Sequence, residues 1–209
     1  MKQVKFVLVR HGKNVAKLGK TLEGAEIGRA YKAGDNLYSA GITEVDMVTY
    51  SPLPRAIQTA FALVAGMEVD CPQLLEAMPA LGNDELFAEM TAPSQFRTLA
   101  SVKGNYMALY DVHSGEKVNG WINQFVDAFD ALFAAAVAAE AKTVMVVIHS
   151  PVIEMMLDGV YTRQEEILLE DMLAMSELDA VVFDATQDGE GAIIKASGTH
   201  KIPAPVSAA

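Results

Sequence analysis

Three short stretches of the chain carry β-branched and aromatic residues in near-continuous runs: VKFVLV (4–9), VDMVTY (45–50) and KTVMVVI (142–148). Runs of this length and character, apolar on both faces, predict strands buried inside a parallel sheet. LDAVVFDA (178–185) and GAIIKAS (191–197) predict two more strands, joined by a hairpin turn through TQDGE. Helical periodicity fills the intervals. Ser51 is placed to cap a helix with Pro52 in its first position, and Leu53, Ile57, Ala60, Phe61 and Val64 recur at +4, +7, +8 and +11 along one face. A longer helix is predicted over 120–141, running into the strand at 142. Strands alternating with helices predict an α/β fold, a mostly parallel sheet with helices on both faces. Residues from about 77 to 118 fit no strand–helix unit and read as a short helical lid insertion into a single domain spanning 1–209.

Composition narrows the function classes. The single cysteine, Cys71, cannot form an internal disulfide, suits a reducing compartment and reads as a small apolar residue beside Pro72. No apolar run is long enough to span a bilayer, and the N-terminus lacks the apolar core and cleavage site of a signal peptide, so a cytoplasmic protein is expected. A net charge of −11 argues against nucleic acid or an anionic membrane as a partner. That charge is uneven. Residues 10–32 hold six bases (Arg10, Lys13, Lys17, Lys20, Arg29, Lys32) against Glu23 and Glu26, a net +4, which leaves −15 for the rest. A basic segment after the first strand suits a small anion, and a solvated face accounts for it equally well.

In open α/β sheets, ligands bind beyond the carboxyl ends of the strands. Three polar stretches fall at those ends: Arg10-His11-Gly12, Ser51 through Arg55, and His149-Ser150. Two arginines beside two histidines repel a metal cation, whereas the guanidinium fork fits a tetrahedral oxyanion. A neutral imidazole nitrogen can hold a phosphoryl group covalently, positive charge stabilises its equatorial oxygens, and a carboxylic acid can protonate the leaving oxygen.

LVRHGKN (8–14), YSPLPRAIQTA (50–60), LLEAMP (74–79) and VVIHSPVI (146–153) together resemble the histidine phosphatase superfamily, in order and spacing, from residue 4 to about 185. The resemblance implies a three-layer phosphoglycerate mutase-like fold. It implies His11 as the nucleophile that becomes phosphohistidine, Arg10 and Arg55 on the phosphate, and His149 as a second, protonated pocket histidine. Glu76 matches the general acid, with Asp84, Glu85 and Glu89 as rivals, and Asn14 stands where it can hydrogen-bond phosphate. No metal or organic cofactor is implied. Ser51 reads as a helix cap, and His113 and His200 as surface residues. The eleven methionines, Met155 and Met156 among them, read as filling for the core and lid.

Several positions depart from the family pattern. Lys13-Asn14 follows the RHG where an acidic residue is common, Lys17 replaces a usual asparagine, and Ser150-Pro151 follows the second histidine. The stretch from Ser39 to Tyr50 also reads too short for the helix that usually precedes the second strand. The expected activity is metal-independent hydrolysis of a small phosphomonoester, a preference resting partly on the compact insertion and that missing helix. Phosphohistidine hydrolysis, mutase-type transfer and silent phospho-ligand binding are the alternatives.

Overall fold

A computed structural model describes residues 1–15, 21–70, 72–168, 174–189 and 191–205, with only the backbone described at 14 and 15. The expectations for Lys17, Lys20, Cys71 and the Asn14 side chain lie outside the described residues. A six-stranded sheet runs β5-β4-β6-β1-β7-β8, where β1 is Lys2–Arg10, β4 Met47–Tyr50, β5 Gln73–Leu74, β6 Thr143–Ile148, β7 Ala180–Gln187 and β8 Lys195–Ile202. The first four strands in this order, β5, β4, β6 and β1, run parallel to one another, and β7 and β8 extend the sheet antiparallel. A two-stranded ribbon of β2 (Asn14–Val15) and β3 (Thr21–Leu22) follows β1.

The continuous apolar runs have the expected cause. Along β1, Phe6 and Leu8 enter one core while Val7 and Val9 enter the other, and along β6 Val144, Val146 and Ile148 oppose Met145 and Val147 in the same way. The first core is closed by α6 (Gly115–Ala138) and α7 (Val152–Thr162), the second by α1 (Gly24–Ser39) and α2 (Pro54–Met67). Residues 77–118 are helical as expected, forming a 3-10 turn at Pro79–Leu81, then α3 (Asp84–Thr91), α4 (Phe96–Lys103), α5 (Asn105–Val112) and the start of α6. Met155 and Met156 are core residues.

Three expectations need correction. Among the described residues no helix lies between Ser39 and β4, but one precedes the second strand all the same: the sixteen-residue α1, whose first nine residues belong to the segment read above as basic. The long helix begins at Gly115, not 120, because the Ser114 hydroxyl accepts the Lys117 N–H and caps it. On α2 the first helical residue is Pro54, and its buried face is Ala56, Thr59, Ala60, Leu63 and Met67, whereas Phe61 is half exposed. The reason is the crossing with α1. A Cβ on Gly34 would lie 2.1 Å from the Leu63 carbonyl oxygen, and one on Gly66 1.9 Å from that of Tyr31. Backbones this close admit only small side chains, so the contact face carries little hydrophobicity and the bulky stripe beside it misleads.

Candidate active site

The carboxyl ends of the three parallel strands meet at one edge. The His11 N–H donates to the Ile148 carbonyl (2.9 Å) and the Ser51 N–H to that of Val147 (3.1 Å). The turn after β1 is pinned from two helices. The Gly12 N–H donates to Thr59 Oγ1 of α2 (3.0 Å), and the Lys13 N–H donates to Glu26 Oε2 of α1 (3.0 Å). A Cβ on Gly12 would press on that Glu26 oxygen at 3.3 Å, which is why the backbone here is a glycine. Arg29 holds Glu26 in turn (2.7 Å), so one base of the positive segment is spent on structure.

His11, Arg55 and His149 come together. Their ring and guanidinium contacts fix the imidazole tautomers. Arg55 can only donate, so its Nε at 3.1 Å from His11 Nε2 requires a lone pair on that nitrogen. The His11 proton therefore sits on Nδ1 and is given to the Gly12 carbonyl (2.6 Å). By the same logic His149 Nδ1 accepts from Arg55 Nη2 (3.3 Å), and its Nε2–H donates to Ser51 Oγ (2.5 Å). The two rings meet edge to face at 4.6 Å, and Phe87 of α3 packs against His149 at 4.5 Å with the Arg55 guanidinium 6.0 Å from its centre. Gly82 (φ +118°) makes this wall possible, since a Cβ there would lie 2.8 Å from the Phe87 ring.

Burial and the neighbouring cations keep both imidazoles neutral. His11 is pushed down to about 3, chiefly by burial and then by Arg55, against the upward pull of the Gly12 carbonyl. His149 is pushed well below the ordinary histidine value by burial, His11, Arg55 and Arg10. The expected protonation of His149 is thus reversed in the free protein. Arg55 is itself lowered by burial, and the Asp84 carboxylate at the start of α3 counters this.

The other expected residues stand further off. The Arg10 guanidinium turns toward the other face of β1, donating to the Met175 carbonyl and to Glu177 (3.2 Å) while its charge still reaches both histidines. Glu76 follows β5 at the same sheet edge. Its carbonyl accepts from Thr49 (3.3 Å), but its side chain is exposed, and among the described residues no hydrogen bond or ion pair joins it to the histidines or Arg55. Of the rival acids, Asp84 is the one whose field falls on Arg55. Ser51 was read as a cap but serves as a partner of His149; its oxygen also accepts the Leu53 N–H (3.3 Å). Thr59, one turn after Arg55, had a signal in the sequence, since i and i+4 share a helix face. His113 is no free surface residue: it bonds the Met90 carbonyl (2.9 Å) and meets the Trp121 ring at 4.9 Å. Among the described residues no group of three or more His, Cys, Asp or Glu side chains is placed to hold a metal, and no helix is long and apolar enough to cross a membrane.

The model of the histidine phosphatase superfamily (branch 1) matches residues 6–187. Curated proteins give no match. Among solved structures, phosphoglycerate mutase from Bacillus anthracis superposes with a TM-score of 0.62 at 14% identity, covering 94% of this chain and 92% of its own. A mycobacterial hydrolase gives 0.63 at 18% identity over 99% and 94%. A phosphoserine phosphatase from Entamoeba histolytica, solved with 3-phosphoglyceric acid, gives 0.57 at 16% identity over 94% and 96%. These likenesses are of fold: the layered, mostly parallel sheet is phosphoglycerate mutase-like.

Proposed function

The chain belongs to the histidine phosphatase superfamily, branch 1, and from that premise we propose that it is a metal-independent phosphomonoesterase working through a phosphohistidine on His11. The observation that carries this is the state of His11: neutral, its proton held on Nδ1 by the Gly12 carbonyl, and its Nε2 lone pair directed at a guanidinium. A nucleophilic nitrogen and the positive group that stabilises phosphoryl oxygens are then in place together. The N-terminus of α2 adds the positive end of its helix dipole beside Arg55.

In the reaction, the Nε2 lone pair forms the N–P bond as the P–O bond to the alcohol breaks. The departing oxygen takes a proton from a carboxylic acid, and the carboxylate so formed later removes a proton from the water that attacks phosphorus. The N–P bond then breaks, inorganic phosphate leaves and neutral His11 returns. Arg55 and His149 hold the phosphoryl oxygens, joined by Asn14 and by Arg10 once it exchanges Glu177 for a phosphoryl oxygen. The negative phosphoryl group supplies the countercharge with which His149 can take up a proton. In this reading the insertion at about 77–118 serves as the lid, with Phe87 packed on His149. Glu76 is the acid implied by its place in the motif, and Asp84 is the carboxylate whose charge reaches the pocket. The exposure of Glu76 favours one second reading, hydrolysis of a phosphorylated histidine, whose departing nitrogen needs less help from an acid.

The deciding experiment measures phosphate release from a panel of phosphomonoesters, including an aryl phosphate, with and without EDTA, in the wild type and in His11→Ala. Release that survives EDTA and vanishes in the variant is expected. Release unchanged by the substitution refutes the mechanism. Comparing Glu76→Gln with Asp84→Asn on an alkyl and an aryl ester then assigns the acid, because only the poor alkyl leaving group depends on it.

A further inference from the structure

Behind the histidines, on the side of the sheet to which Arg10 turns, lies a second polar cavity of about 330 Å³ lined by Arg10, Ser101, Asn105, Ser150, Glu154 and Met175 among others. Arg10 links it to the phosphoryl pocket, because its charge acts on His11, on His149 and on Glu154 alike. At about 30 Å³ of liquid volume per water, it has room for several non-hydrogen atoms.

Its least expected member is Glu154, in the first turn of α7 and 1% exposed. One carboxyl oxygen is well held. Asn105 Nδ2 donates to Ser150 Oγ (3.1 Å), and Ser150 in turn donates to Glu154 Oε1 (2.6 Å). The other, Oε2, is buried with no hydrogen-bond partner. Charge is unbalanced as well. Arg10 is the cation that lines the cavity, and its terminal nitrogens are committed to the Met175 carbonyl and to Glu177. One guanidinium therefore serves two carboxylates, and the cluster carries a net −1 when all three groups are ionised. Burial pushes the Glu154 carboxyl up to about 7, moderated by the Ser150 hydrogen bond, the backbone N–H groups of Glu154 and Met175 and the Arg10 charge. The unpaired oxygen and the uncompensated charge belong to the same cluster.

We infer that this cavity receives a primary ammonium group borne by the leaving-group end of the substrate, with Glu154 Oε2 accepting its N–H. This rests on the phosphoryl pocket proposed above and deepens it: the substrate class becomes amino-substituted phosphomonoesters. A carboxylate on the substrate would face Glu154 with like charge, and a hydroxyl would supply a donor but leave the charge uncompensated. The assignment also couples the two pockets. When Arg10 turns to the phosphoryl group, both carboxylates lose their guanidinium, and the ammonium replaces it.

The test separates binding from turnover. ω-Aminoalkylphosphonates of two to four carbons have a C–P bond that a phosphatase of this kind does not cleave, and the matching alkylphosphonates and hydroxyalkylphosphonates differ only at the end group. Calorimetric titration of the wild-type protein is expected to show the best amino member binding at least tenfold tighter than its alkyl and hydroxyl partners. Glu154→Gln, which keeps the shape of the side chain, is expected to bring the ratio to within threefold. Because the ratio is the readout, a general weakening of the variant cancels. Equal affinity across the end groups, a preference that survives Glu154→Gln, or binding of none of the phosphonates overturns the inference. Hydrolysis of simple esters alongside equal affinities leaves the phosphatase reading standing and removes only this one. An amino preference without any ester hydrolysis does the reverse.

Discussion

The sharpest consequence of the pocket is that His11 stays a nucleophile in acid. A histidine with the ordinary pKa near 6.5 is only about 3% neutral at pH 5, whereas one with a pKa of about 3 is about 99% neutral there. The drop corresponds to roughly 5 kcal/mol in favour of the neutral ring. Protonating Nε2 would turn the Arg55 contact at 3.1 Å from a hydrogen bond into two donors facing each other, inside a buried site. Histidine-selective ¹⁵N and ¹³C NMR over pH 8 to 4 reads both the titration and the tautomer, and His11→Ala assigns the signal among the four histidines. The expected spectrum shows Nδ1 protonated and no titration of His11 above pH 4. In Arg55→Gln the midpoint is expected to rise, but by less than half the total, because burial is the larger cause. The same shift weakens the fold in acid. The unfolded imidazole takes up a proton as pH falls through 6.5 and the folded one only near 3, so stability is lost across that window. A His11 signal titrating near pH 6, or a proton resident on Nε2, would refute the account of how this ring is prepared.

Three further predictions follow from named contacts. Ser51→Ala removes the oxygen that takes the His149 Nε2–H, and is expected to lower kcat/KM about tenfold, of the order of one hydrogen bond, with unchanged circular dichroism. Gly34→Val drives side-chain atoms into the α2 backbone; overpacking of this kind is expected to cost about 3 kcal/mol or more, read as a lower midpoint in urea. Glu154 binds a proton more tightly folded than unfolded, so it destabilises the fold increasingly as pH rises from about 4.5 to about 7. Glu154→Gln is therefore expected to gain up to about 3 kcal/mol on the wild type between pH 4 and pH 8, by denaturant titration at the two pH values; an equal gain at both would count against a buried titrating carboxyl.

What the sequence determined by itself was local. Buried strands announce themselves as apolar runs, and the parallel order then brings residues 10–12, 51–55 and 149 to one edge, so the grouping of His11, Arg55 and His149 is legible in the sequence. The resemblance in motif order supplied the fold. Tertiary structure decided whatever depends on a partner remote in the chain. Ser51 lies 98 positions from the histidine it serves, and Arg10 is drawn 167 positions away to Glu177; no periodicity carries such pairings. The α1–α2 contact was invisible for a different reason. Its closest approach is at Gly34 and Gly66, so its signal in a hydrophobic pattern is weakest where the packing is tightest. Glu154 was invisible for a third: a glutamate in a helix reads as solvated, and only the closing of α7 against the sheet and the lid removes it from water. Burial is a property of the assembled layers, and so, with it, are the neutral histidines and the unpartnered carboxyl oxygen.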